Sequence, residues 1–151
     1  MIFQTVDELL DFAISEEEKA SEFYTALAKQ MERPWMKEIF IELSREELGH
    51  KAVLEGIKKG GELQPLQEKI SDLKILEGLH AAPVTSGQID YQQALIIAMQ
   101  AEKEAYVLYT SLAELTSDEK AKGVLHRLAQ EEARHKLRFE MEYDEMIMQE
   151  N

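Results

Sequence analysis

The sequence predicts an all-α protein, a bundle of four helices with a long crossover between the second and the third. Three observations carry that expectation. Apolar residues recur at three- and four-residue intervals over four long stretches, as they do on helices that pack face to face. Only three prolines and seven glycines punctuate 151 residues, while 44% are apolar and 31% charged, a balance that suits one globular helical domain with a single core. The second half of the chain also repeats the first at a fixed offset of 85 residues. A duplicated helical hairpin would leave that mark.

The first helix is expected over residues 5–32, where Thr5 and Glu8 stand at capping-box spacing ahead of "LLDFAISEEEKASEFYTALAKQM". Pro34 suits a first helical turn, and the pattern then runs to "KKGG", giving a second helix over 34–59. The stretch that follows holds Pro65, Pro83 and "TSGQID", and is too long for a tight turn between antiparallel neighbours. It reads as a crossover with one short helix at "SDLKILEGL". A third helix is expected over 90–115. Thr116 and Glu119 again have capping-box spacing and open a fourth, running to about 148.

The repeat is specific. Residues 17–28, "EEKASEFYTALA", align with 102–113, "EKEAYVLYTSLA", with six identities in twelve. Residues 43–51, "LSREELGHK", align with 128–136, "LAQEEARHK", with five in nine. The same shift superposes Glu17 on Glu102, Glu47 on Glu132 and His50 on His135.

Charge and composition narrow the partners. A net charge of −13 and a pI near 4.7 oppose binding to nucleic acid, which depends on clustered Lys and Arg, and equally to an anionic membrane surface. The absence of cysteine removes disulfides, thiolate zinc sites and rubredoxin-type iron sites. No apolar run approaches the ~20 residues of a membrane span and no leader pattern opens the chain, so a cytoplasmic location is expected.

Stepping by four and three residues writes out the buried seam of each helix. The first gives Ala13, Glu17, Ala20, Tyr24, Leu27 and Met31, and the second Met36, Phe40, Leu43, Glu47, His50, Leu54 and Ile57. The third gives Leu95, Ala98, Glu102, Ala105, Tyr109 and Leu112, and the fourth Leu125, Leu128, Glu132, His135 and Phe139. Four carboxylates and two imidazoles therefore point into one interior. An unpaired buried charge costs on the order of several kcal/mol, against a total stability of about 5–15 kcal/mol for a domain. No Lys or Arg shares these seams, whereas two divalent cations would neutralise four carboxylates. Mixed oxygen and imidazole donors suit iron, manganese or zinc better than calcium or magnesium. A buried polar network without metal is the competing reading.

On these residues the chain resembles the ferritin-like superfamily, and within it the rubrerythrin-like di-iron proteins. The likeness covers all four helices and the crossover. It rests on two ExxH pairs, each following a seam glutamate by 30 residues, that glutamate itself preceding a tyrosine by seven. The resemblance implies a ferritin-like bundle in which Glu17, Glu47, His50, Glu102, Glu132 and His135 hold two iron ions, with manganese or zinc as substitutes. Glu47 and Glu132 would bridge, Glu17 and Glu102 would be terminal, and Tyr24 and Tyr109 would hydrogen-bond the carboxylates. It further implies an oxidoreductase that reacts with dioxygen or hydrogen peroxide and draws on an electron donor the sequence does not identify. A homodimer is the expected assembly. Iron buffering with ferroxidase activity, and a metal-dependent structural bundle, are the alternatives. The pattern departs from the family's peroxidases at Ala105, where they carry a further carboxylate, and in lacking any rubredoxin-type cysteine.

Neighbouring groups receive plainer readings. Glu16, Glu18, Glu46 and Glu131 are expected on the solvated face, Glu16 and Glu18 because the repeat gives them no acidic counterpart and Glu46 and Glu131 because they fall off the seam. His126 and His80 are expected at the surface, and Gly49 reflects either close packing or nothing.

Overall fold

A computed structural model describes residues 5–59 and 89–150. Among them lie four helices, α1 (Val6–Gln30), α2 (Pro34–Lys59), α3 (Tyr91–Leu115) and α4 (Glu119–Glu150). The all-α bundle expected from the periodicity is the one observed. The crossover, with the short helix expected at "SDLKILEGL" and His80, falls outside the described residues.

Helix starts follow local chemistry. Thr5 accepts a hydrogen bond from the Glu8 backbone N–H at 3.1 Å, and Asp7 and Glu8 place negative charge in the first turn of α1. Pro34 opens α2, where its missing N–H costs nothing, and the Arg33 carbonyl takes the N–H groups of Met36 and Lys37 at 3.1 and 3.2 Å. At α3 the Asp90 carboxylate accepts from the Gln93 N–H at 2.8 Å while the Gln93 side chain accepts from the Asp90 N–H at 3.1 Å, a reciprocal capping box.

The start of α4 differs from expectation. Thr116 does not cap it; its buried hydroxyl turns back and donates to the Leu112 carbonyl at 2.7 Å, closing α3. Asp118 takes over, accepting from the Lys120 N–H at 2.9 Å, with its own carbonyl accepting from Lys122 at 2.9 Å. An acceptor directly before the first helical residue reaches the orphan N–H groups more easily than one two residues further back.

Two ties set the directions of the helices. The Gln30 side chain accepts from the Ile89 N–H at 2.9 Å, which brings the end of α1 beside the start of α3. Lys58 meets Asp11 at 2.5 Å, which brings the end of α2 beside the start of α1. The chain therefore leaves α2 at one end of the bundle and enters α3 at the other, as a crossover requires.

The core divides into two apolar clusters. One gathers Val6, Leu9, Leu10, Ala13, Leu54, Leu108, Tyr109, Leu112, Leu125 and Leu128. The other gathers Tyr24, Leu27, Met31, Phe40, Leu43, Tyr91, Leu95 and Phe139. Each helix contributes to both, and the glutamates lie on the seam between. Dry apolar layers above and below a carboxylate layer fix its side chains and exclude competing solvent.

Candidate metal centre

Each half of the centre comes from one hairpin. Glu17 of α1 and Glu47 and His50 of α2 face Glu102 of α3 and Glu132 and His135 of α4. All four carboxylates are at most 3% exposed, and the imidazoles are nearly as enclosed. The i, i+3 spacing within each ExxH puts acid and imidazole on the same helical face.

Donor atoms converge in two sets. Glu17, Glu47, His50 and Glu132 form one and Glu47, Glu102, Glu132 and His135 the other, with the donor atoms of each set within 4.8 Å of one another. Glu47 and Glu132 belong to both. His50 Nδ1 lies 2.8 Å from Glu132 and 3.7 Å from Glu17; His135 Nδ1 lies 3.5 Å from both Glu47 and Glu102. All six residues singled out in the sequence are thus brought together.

The tyrosines reach across the bundle. Tyr24 donates to Glu102 at 2.5 Å, and Tyr109 donates to Glu17. Each phenol lies on the same helix as one glutamate yet bonds the corresponding glutamate of the other hairpin, so each hairpin orients a carboxylate of its partner. Burial and the adjacent carboxylates push both phenols well above their ordinary pKa, so they remain donors.

Two residues were underestimated by sequence reasoning. Glu16 and Glu18 lie toward the surface, paired with Lys19 and Lys51 as solvated acids are. Glu46 and Glu131 also lie on the outer side, but their carboxylates reach the far ring nitrogens: Glu131 meets His50 Nε2 at 2.7 Å and Glu46 meets His135 Nε2 at 2.5 Å. A carboxylate accepting from Nε2–H fixes the tautomer that leaves Nδ1 free to face inward. The signal was present in the repeat, because both acids keep their counterpart at the 85-residue shift. The seam criterion missed them because their bonds run around the helix pair rather than into the core. His126 is exposed, as expected. Gly49 is exposed too, and a Cβ there would meet nothing within 4 Å among the described residues, so close packing between them does not explain it.

The electrostatics leave the cluster short of positive charge. Burial and mutual repulsion raise Glu47 and Glu132 well above the carboxylate range. Burial works against charged imidazoles, but the surrounding carboxylates outweigh it and raise His50 to about 9 and His135 to about 10. No lysine or arginine is buried among the described residues. Among the described residues, seven buried donor atoms, one or more from each of the six residues, make no aligned hydrogen bond; they include both oxygens of Glu132 and Nδ1 of each histidine, His50 Nδ1 and Glu132 facing each other at 2.8 Å without the alignment of a bond. Orphaned atoms of this density are costly unless a cation completes them. The donor set therefore fits a pair of divalent ions.

A bundle of this topology with four interior glutamates and two ExxH histidines defines a ferritin-like protein of the diiron-carboxylate class. Comparison with known proteins agrees: a model of the rubrerythrin family matches residues 8–143, and the chain belongs to that family. Among solved structures it is similar to a hypothetical protein from Pyrococcus furiosus, at 26% identity and a TM-score of 0.67 over 93% of this chain and 89% of that one. It also shares its fold with a Thermotoga maritima protein provisionally described as a ferritin-like diiron-carboxylate protein, at 19% identity and a TM-score of 0.71 over 94% and 96% of the two chains. No curated protein matches at a significant level. Among the described residues no helix is long and apolar enough to cross a membrane.

Proposed function

We propose that this protein binds two iron ions through Glu17, Glu47, His50, Glu102, Glu132 and His135 and acts as an oxidoreductase toward dioxygen or hydrogen peroxide. The observation that supports it best is the set of inward-facing donor atoms without partners, grouped into two sets that share Glu47 and Glu132. When bound, the iron pair supplies the change of oxidation state and open coordination positions for the oxidant.

The chain's own residues do the rest. Glu47 and Glu132, common to both sets, would serve both ions. Glu17 and Glu102 each give one oxygen to a tyrosine and keep Oε2 unpartnered. Tyr24 and Tyr109 thereby limit the swing of these terminal carboxylates, and Glu131 and Glu46 hold the imidazoles from outside. A cleft of about 440 Å³ lined by Glu46, His50, Glu131, Arg134, His135 and Arg138 opens beside the histidines.

Iron buffering with ferroxidase activity is the second reading, favoured by Ala105 in the place of the peroxidases' further carboxylate. Anaerobic Fe(II) loading followed by stopped-flow mixing with oxygen or peroxide separates the readings. Rapid oxidation that recurs after re-reduction, without release of iron, supports the oxidoreductase. Oxidation that proceeds only while fresh Fe(II) is added supports buffering, and binding without oxidation would reject both.

A further inference from the structure

We propose that Trp35, Tyr91 and Tyr24, with Phe40 between the two tyrosines, form a one-electron route joining the bundle surface to the carboxylate centre. The route rests on the redox reading of that centre. Trp35 is the chain's one tryptophan and is 49% exposed. Its ring meets the buried Tyr91 edge-on at 5.2 Å, Tyr91 meets Phe40 at 6.3 Å, and Phe40 stacks on Tyr24 at 6.2 Å with 13° between the planes. Tyr24 in turn donates to Glu102.

The internal repeat shows that packing alone does not call for these rings. Shifted by 85 residues, Tyr24 becomes Tyr109, but Phe40 becomes Leu125 and Trp35 becomes Lys120, while Phe139, which stacks on both Tyr24 and Phe40, corresponds to Leu54. Tyr109 keeps the bond to a glutamate of the centre and lies in a cluster of leucines. Two equivalent hairpins thus support equivalent phenol–carboxylate bonds. From Tyr24, ring contacts among the described residues continue through Phe40 and Tyr91 to the exposed Trp35.

Electron transfer slows exponentially with distance, so short steps between oxidisable rings outrun one long step. Both phenols have a proton acceptor in place, Glu102 for Tyr24 and Glu142 for Tyr91 at 3.1 Å. With iron bound and oxidised by peroxide or dioxygen, Tyr24 would give up one electron to it and pass its phenolic proton along the hydrogen bond to Glu102. Tyr91 then gives an electron to Tyr24 and its proton to Glu142, while Glu102 returns the proton to Tyr24. Trp35 gives an electron to Tyr91, Glu142 returns its proton, and the indole proton leaves to water. A one-electron donor in solution, with a proton from water, restores Trp35.

The test withholds that donor, so that the oxidising equivalent stays on the indole. Fe(II)-loaded protein is treated with hydrogen peroxide, iron oxidation is followed by absorbance, and oxidation products at Trp35 are measured by peptide mass spectrometry. The wild type should accumulate oxidised Trp35. Tyr91→Phe, which keeps the ring and removes the oxidisable hydroxyl, should lower Trp35 oxidation to the level of the iron-free control while iron is still oxidised. Tyr106→Phe, an exposed tyrosine off the route, should match the wild type. Equal Trp35 oxidation in wild type, Tyr91→Phe and iron-free protein would overturn the route and leave the site reading intact. No oxidation of iron in the wild type would overturn the site reading, and the route with it.

Discussion

Glu46 and Glu131 illustrate how a side chain can lie outside a core and still govern it. Each hydrogen-bonds the outer nitrogen of a histidine whose inner nitrogen faces the carboxylates. Loss of such outer partners typically costs 10–100-fold in metal affinity. We therefore expect Glu46→Ala and Glu131→Ala each to weaken Mn(II) binding by about tenfold or more, read by isothermal titration; Glu16→Ala serves as the silent control, and equal affinities in all three would show the outer bonds to be incidental. The histidines also set a pH dependence. Their pKa values of about 9 and about 10 exceed the ordinary 6.5, so in the metal-free protein their contribution to stability is complete below 6.5 and lost as pH rises through 9 and 10. Glu47 and Glu132 are raised as well, so their contribution is present below the ordinary 4.5 and falls as pH climbs above it. Metal binding displaces these protons. The gap in melting temperature between Mn(II)-loaded and metal-free protein should widen from about pH 6 to about pH 8.5, and a gap that narrowed would contradict the proton count.

At the scale of the helices, periodicity and ends are both legible, the expected 34–59 being Pro34–Lys59 itself, and one cap is the exception. Seam residues such as Ala13, Leu27, Phe40, Leu54, Leu95, Leu125 and Phe139 are all buried, because the apolar stripe of a helix is a direct record of what it packs against. The seam was too narrow, however. Leu9, Ala28, Ile39, Ala94, Leu108 and Ala129 are buried as well, since each helix of a bundle meets two neighbours and needs a wider face than a single seam. Thr116 and Glu119 matched a capping box by spacing alone, and spacing could not show that the Thr116 hydroxyl was already committed to Leu112. Asp90, by contrast, caps α3 through both halves of the box; Asp90→Ala should cost about 1 kcal/mol in chemical denaturation. Gly49 sits in mid-helix with no described residue near its missing Cβ, so Gly49→Ala should stabilise the protein by about 1 kcal/mol. A loss of stability there would mean that the position packs against something the isolated chain does not contain.

The whole molecule is two copies of one hairpin facing each other across a layer of charge, and that relation explains what the sequence could reveal. The six clustered residues were legible because the duplication recorded them twice, at one offset, on apolar seams where charge is expensive. Which tyrosine bonds which glutamate was not legible, because the bond from Tyr24 to Glu102 depends on how the hairpins face each other rather than on spacing within either. The same holds for the bond between Glu131 and His50. The central claim is that these halves together make a dinuclear centre. Its most direct test is anaerobic titration of the metal-free protein with Fe(II), with bound metal counted by elemental analysis in the wild type and in Glu47→Ala and Glu132→Ala. The two overlapping donor sets predict saturation at two ions per chain, with either substitution weakening both, because each of these carboxylates serves both sets. Saturation at one ion or none, or loss of a single ion on removing Glu47 or Glu132, would contradict it.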